Sequence, residues 1–173
     1  MPSFSVELEK LWTKRAKELG RNLTKEESSA LEGELFHAWI DSGRQDELIR
    51  TIHANFGRDG GLEEIIVLGH HLRETRDVAR VHALFGGLLS RRVKAFYGWW
   101  PKAQAGHAGC MQSAARAMAE AMDAYIEYFI SLEKLGLLEE MEALREEMKR
   151  FQARAPIATV LPKTRGSAGR ESA

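Results

Sequence analysis

The feature that most limits how this chain folds is the spacing of its apolar residues. They recur every three to four positions between short glycine or polar breaks, which is the pattern of amphipathic helices. "AWIDSGRQDELIRTI" (residues 38–52) reads as the end of one helix, a Gly turn and the start of the next, and "SLEKLGLLEEMEALR" (131–145) reads the same way. The 173 residues include four prolines, two of them among the last twenty, so little in the sequence interrupts long helices. An all-α fold of about seven helices follows, arranged as antiparallel helical hairpins in a repeat array or an irregular bundle.

The first predicted helix runs from about Phe4 to Leu19, with Phe4, Leu8, Leu11, Trp12 and Leu19 inward. The second runs from Lys25 to about Ser42, burying Leu31, Leu35, Phe36 and Trp39. The third, about Gln45–Phe56, buries Leu48, Ile49 and Ile52. Thr24 and Glu27 have the spacing of a capping box, in which hydroxyl and carboxylate each satisfy an orphan N–H. After "GRDGG" (57–61) come helices at about 62–73 and 77–98. Gly86-Gly87 weakens the latter and predicts a bend or a close helix contact. "GWWPKAQAGHAG" (98–109) is predicted as a loop, followed by helices over about Cys110–Leu135 and Leu138–Gln152. Met111, Met118, Met122, Met141 and Met148 fall in one core seam with Tyr125, Ile126, Phe129, Leu132, Leu137 and Leu144. Residues 1–153 read as a single all-α domain, and 154–173 have the composition of a flexible tail.

Three helix–turn–helix units can be overlaid, with turns near Gly43, near Thr75–Arg76 and at Gly136. The first two are about 33 residues apart and the third about 60 further on, near two periods. "IIVLGHHLRETRDVARVHALF" resembles the tetratricopeptide (TPR) class of helical-hairpin repeats. The family's aromatic-x-x-Leu-Gly-x-x-Tyr pattern falls on Ile65, Leu68, Gly69 and Leu72, and its later aromatic on Phe85. "SGRQDEL" and "LGLLEEM" resemble its inter-helix turn. The chain departs in carrying Leu48, Val81 and Met141 where the family has a small residue, and in lacking the terminal Pro of each unit. The resemblance spans residues 32–152 and implies stacked hairpins with a groove for a peptide or a partner helix.

Net charge is zero, with segments of −2 (1–60), +3 (61–110), −4 (111–153) and +3 (154–173). This balance lacks the broad basic surface that nucleic-acid binding uses. A single cysteine, Cys110, excludes an internal disulfide and fits a reducing compartment. No signal-peptide pattern and no apolar run of spanning length is present, so a cytoplasmic protein off the membrane is expected.

The sequence contains no phosphate-cradling glycine loop, cysteine pair or nucleophile elbow. The strongest candidate is "SRRVKAFYGWWPK" (90–102), where Arg91, Arg92, Lys94 and Lys102 alternate with Phe96, Tyr97, Trp99 and Trp100. Trp, Tyr and Arg dominate interface hot spots, which points to a protein or peptide partner bound through Trp99, Trp100, Arg91, Arg92 and Tyr97. His70 and His71 come next. The same residues could pair with phosphates and stack on bases, making a nucleic-acid accessory protein an alternative. Glu34 and His37 share a helical face at Glu-x-x-His spacing, the half-motif of a metal-binding bundle, and give a third reading. His107 beside Cys110 lacks a third group to orient it. The expected activity is non-enzymatic protein binding, with no cofactor.

Overall fold

In a computed structural model of the chain, residues 2–54 and 61–154 are described, those of 61–63 by backbone alone. Among the described residues every regular element is a helix: α1 (Phe4–Leu19), α2 (Lys25–Asp41), α3 (Gln45–Ala54), α4 (Gly61–Glu74), α5 (Val78–Val81), a single π turn (His82–Gly86), α6 (Gly87–Gln104), α7 (Cys110–Leu135) and α8 (Leu138–Arg154). Because α5, the π turn and α6 follow without a break, the elements form seven helical rods. The chain divides into two compact units, residues 1–88 and 89–173, and each is described by itself.

In the first unit each helix packs on the next, and α1 also meets α3, α2 meets α4, and α3 meets the π turn. This is how stacked hairpins bury faces that no single hairpin could bury alone. Thr24 Oγ1 accepts from Glu27 N at 3.2 Å while Glu27 Oε2 accepts from Thr24 N at 2.9 Å, the predicted capping box. Leu35, Phe36, Trp39, Leu48, Ile49 and Ile52 are buried as the periodicity required. Leu31, Leu11 and Trp12 are half-buried, and Leu19 is exposed at the last position of α1.

The three overlaid turns share one backbone geometry. At Gly43, Arg76 and Gly136 the chain takes a left-handed φ of 80°, 53° and 76°. The next residue's N–H reaches back five positions, as Arg44 to Trp39 O, Asp77 to Leu72 O and Leu137 to Leu132 O. The left-handed residue itself donates to the carbonyl three back, completing a Schellman cap in each case. One linking residue later the next helix begins. Among the described residues only Arg76 takes a left-handed φ without being glycine.

The π turn explains Gly86-Gly87. A Cβ on Gly87 would lie 2.3 Å from His53 Cε1, so only glycine admits the ring. His53 Nε2 stands 3.2 Å from Leu84 O, and because a carbonyl only accepts, that nitrogen carries the proton. The close contact predicted at this pair is therefore a histidine seated on the widened turn.

In the second unit α6, α7 and α8 enclose Phe96, Tyr125 and Phe151. The Phe96 and Phe151 rings meet edge to face at 5.3 Å, and Tyr125 and Phe151 at 5.8 Å. Ala114, Ala117, Ala121 and Ala124 put a ridge of small residues on the buried side of α7. The five methionines of the predicted seam pack half-buried against this core. Ile126 does not join it and is 48% exposed.

Two boundaries differ from expectation. The predicted loop 98–109 is helical through Gln104, with Pro101 inside the helix. Proline removes one ladder donor, but Trp100 stacks on Phe96 and Ala103 is buried, so packing on both sides of it holds the helix. Arg154, placed in the predicted tail, closes α8. The rest of that tail, 155–173, lies outside the described residues, as do Phe56 and positions 57–60 of "GRDGG".

Candidate functional site

Helix α6 carries four cations, Arg91, Arg92, Lys94 and Lys102, and no carboxylate. Its buried side is fixed by Phe96 and Ala103. At about 100° per residue, the opposite side collects Arg91, Lys94, Gly98, Pro101 and Lys102 within an arc of about 100°. All five are exposed. Tyr97 and Trp99 flank that arc on its two sides, each 40% exposed. Lys102 Nζ stands 5.4 Å above the Trp99 ring, a cation–π contact that holds the indole over the surface. Tyr97 leans on Phe96 and Phe151 at 5.3 and 6.0 Å, so its ring is pinned while its outer edge stays in water.

The other two members of the predicted set turn inward. Trp100 is half-buried and stacks on Phe96 at 5.6 Å with 24° between planes. Arg92 Nη1 donates to the Glu120 carbonyl at 2.9 Å, tying α6 to α7. The structure thus places Arg91, Tyr97 and Trp99 on the outer side of α6 and gives Trp100 and Arg92 to the unit's interior. His70 and His71 lie on α4 of the first unit. His70 is exposed with Nε2 3.4 Å from Glu74 Oε1, while His71 is half-buried with Nε2 3.5 Å from the Gln45 amide nitrogen.

Glu34 and His37 are both exposed on α2. Among the described residues no three His, Cys, Asp or Glu side chains come together in a way that would hold a metal ion. His107 meets Cys110 through its backbone carbonyl, which accepts from Cys110 N at 3.2 Å.

Two polar clusters of the first unit escape sequence reading. Arg44 lies 3.4 Å over the centroid of Trp39 and donates to Glu7, Glu47 and the Pro2 carbonyl, while Trp39 Nε1 donates to Glu7 Oε2 at 2.8 Å. Hydrogen bonds from Arg44 and then Trp39 hold the Glu7 carboxyl below its ordinary range. Glu32 of α2 is pushed the other way, first by burial and then by the charge of Glu64 on α4, whose Oε2 is buried with no hydrogen-bond partner. Residues 7, 39 and 44 belong to different elements, and neither cluster has a spacing that would reveal it.

No protein-family model, curated protein or solved structure matches this chain. No helix among the described residues is long and apolar enough to cross a membrane. The outer side of α6 combines three exposed cations with two half-exposed rings.

Proposed function

We propose that this chain is a non-enzymatic protein-binding module that presents the outer side of α6 to another protein. The observation that carries the reading is the pair of 40%-exposed aromatics, Tyr97 and Trp99, flanking a row of cations on a helix without carboxylates. Large rings held half in water are what interfaces use as anchors. The hairpin stacking of the first unit and its turns at Gly43 and Arg76 support kinship with tetratricopeptide-like scaffolds, whose work is to hold partner segments. An adaptor, a secretion chaperone or a toxin-neutralising partner in the cytoplasm would each fit this description.

The test compares wild type with Tyr97→Ala/Trp99→Ala as bait in lysate of the native host. A protein retained near stoichiometry by wild type and lost by the variant, with far-UV dichroism unchanged, supports the reading. Identical capture by both baits removes α6 from it.

A further inference from the structure

Glycines inside helices weaken them relative to alanine unless something must approach the backbone. Gly69 and Gly87 have that reason within the fold, since a Cβ on either would strike Phe85 or His53. Gly33, in the middle of α2, and Gly98, in the middle of α6, do not: a Cβ on either meets nothing within 4 Å. Both are exposed, Gly98 within a basic face of α6 and Gly33 at one edge of an acidic face of α2.

The two faces have opposite sign. Beside Gly33 the outer side of α2 collects Glu26, Ala30, Glu34, His37 and Asp41 within about 80° of arc, with the glycine at one edge. All are exposed, and Lys25 is the only lysine or arginine of the helix. Around Gly98 the outer side of α6 collects Arg91, Lys94, Pro101 and Lys102. The spacing also corresponds. Glu26 precedes Gly33 by seven residues, as Arg91 precedes Gly98, and Asp41 follows Gly33 by eight. With the glycines crossing, an acid therefore stands at the level of Arg91 along the helix whichever way the helices run, about 10–12 Å from the crossing point at 1.5 Å per residue.

We propose that the outer side of α6 is occupied by α2 of a second copy of this chain, the two helices crossing at Gly98 and Gly33. Bare backbone at the crossing lets helix axes approach closely. The carboxylates of Glu26, Glu34 and Asp41 then meet Arg91, Lys94 and Lys102, while Tyr97 and Trp99 close over the two sides of the incoming helix. The inference rests on reading α6 as a protein-binding face and names its occupant.

Charge exchange tests it on the full chain by light scattering and sedimentation, from micromolar to about 1 mM protein in about 0.1 M salt. Wild type is expected to rise above the 19.5 kDa monomer with concentration. Lys94→Glu/Lys102→Glu alone and Glu34→Lys/Asp41→Lys alone are each expected to weaken association at least about tenfold. An equimolar mixture of the two variants is expected to recover it, because acid and base are exchanged between partners. Gly98→Leu, which leaves every charge in place, is expected to block association with helicity intact. A wild type monomeric up to about 1 mM, association indifferent to both exchanges, or variants that fail to recover on mixing would each overturn the proposal. Loss of a lysate protein by Tyr97→Ala/Trp99→Ala alongside a monomeric wild type would sink this inference and leave the protein-binding reading standing. Association abolished by the exchanges alongside unchanged lysate capture would keep α6 as a face for a second copy and remove it as a site for any other protein.

Discussion

The Phe85 ring occupies the space where a side chain on Gly69 would stand: a Cβ there would lie 2.6 Å from Phe85 Cζ. Phe85 is 1% exposed and has nowhere to move. Gly69→Ala gains about 1 kcal/mol of helix propensity but forces an overpacked core, which costs about 1–3 kcal/mol. The variant is expected to unfold at lower denaturant concentration than wild type. Gly87→Ala meets His53, which is half-buried and hydrogen-bonded to Leu84 O, and is less confined than Phe85. Chemical denaturation should therefore rank Gly69→Ala as the more damaging. Adding His53→Ala should rescue Gly87→Ala, and equal losses that persist in the double variant would contradict the packing described.

Gly69 and Phe85 both stand in "IIVLGHHLRETRDVARVHALF", and the fold brings them into contact. The turns at Gly43 and Gly136 were also legible, because glycine signals the left-handed residue that ends a helix. The turn at Arg76 lacked that letter, and only its polar neighbours betrayed it. The π turn left no mark beyond two glycines, and the His53 ring seated on it comes from another helix. Pro101 misled in the opposite way. A proline in a stretch with three glycines reads as a break, yet the packing of Trp100 and Ala103 keeps α6 helical to Gln104. For the candidate site, the segment 90–102 could be read but its sides could not, because that required knowing which of two adjacent tryptophans Phe96 stacks on.

Arg44 makes a second prediction. Its guanidinium stacks on Trp39 while bonding carboxylates from α1 and α3, with its own side chain 16% exposed. Hydrogen bonds to charged groups contribute about 1.5–3 kcal/mol and the stack about 0.5–1. Arg44→Ala is expected to destabilise by about 2–3 kcal/mol. A lysine ammonium cannot fork between two carboxylates or lie flat on the indole, so Arg44→Lys should recover less than half of the loss. A lysine variant as stable as wild type would show that charge alone matters there.

Stability should depend on pH in two opposed ways. The Arg21 guanidinium and the Thr24 amide hold Glu27 at about 2, below its ordinary 4.5, and Glu7, Glu47 and Asp46 are lowered by their arginine partners. A lowered carboxyl stabilises the fold above its unfolded pKa, and that contribution is lost as pH falls toward the folded value. Melting temperature should accordingly drop below about pH 4.5, and less steeply in Arg21→Ala, which releases Glu27. Glu32 is raised by burial and by Glu64, so it acts with the opposite sign: the protonated form favours the fold, and stability is lost as pH rises through the folded value. Glu32→Gln should therefore raise the melting temperature at neutral pH by about 1–2 °C and make little difference in acid. A fall at neutral pH would show Glu32 held as a needed anion.

Trp99 and Trp100 are neighbours in sequence and should behave oppositely. Trp99 touches Lys102 and water, so Trp99→Ala removes little that the fold uses and is expected to shift stability by about 0.5 kcal/mol or less. Trp100 covers one face of Phe96, itself fully buried between helices, and truncating it opens a gap against that ring. Because Trp100 is half-buried, the loss should fall below the 3–5 kcal/mol of a core tryptophan, at about 2 kcal/mol. Binding should follow the reverse order: Trp99→Ala abolishes capture of the partner with the melting curve unchanged, and Trp100→Ala lowers the melting temperature while the folded fraction still binds. Paired thermal melts and binding assays on the two single variants read this directly. If Trp99→Ala is the one that melts early, the indole belongs to the core and the outer side of α6 loses its anchor.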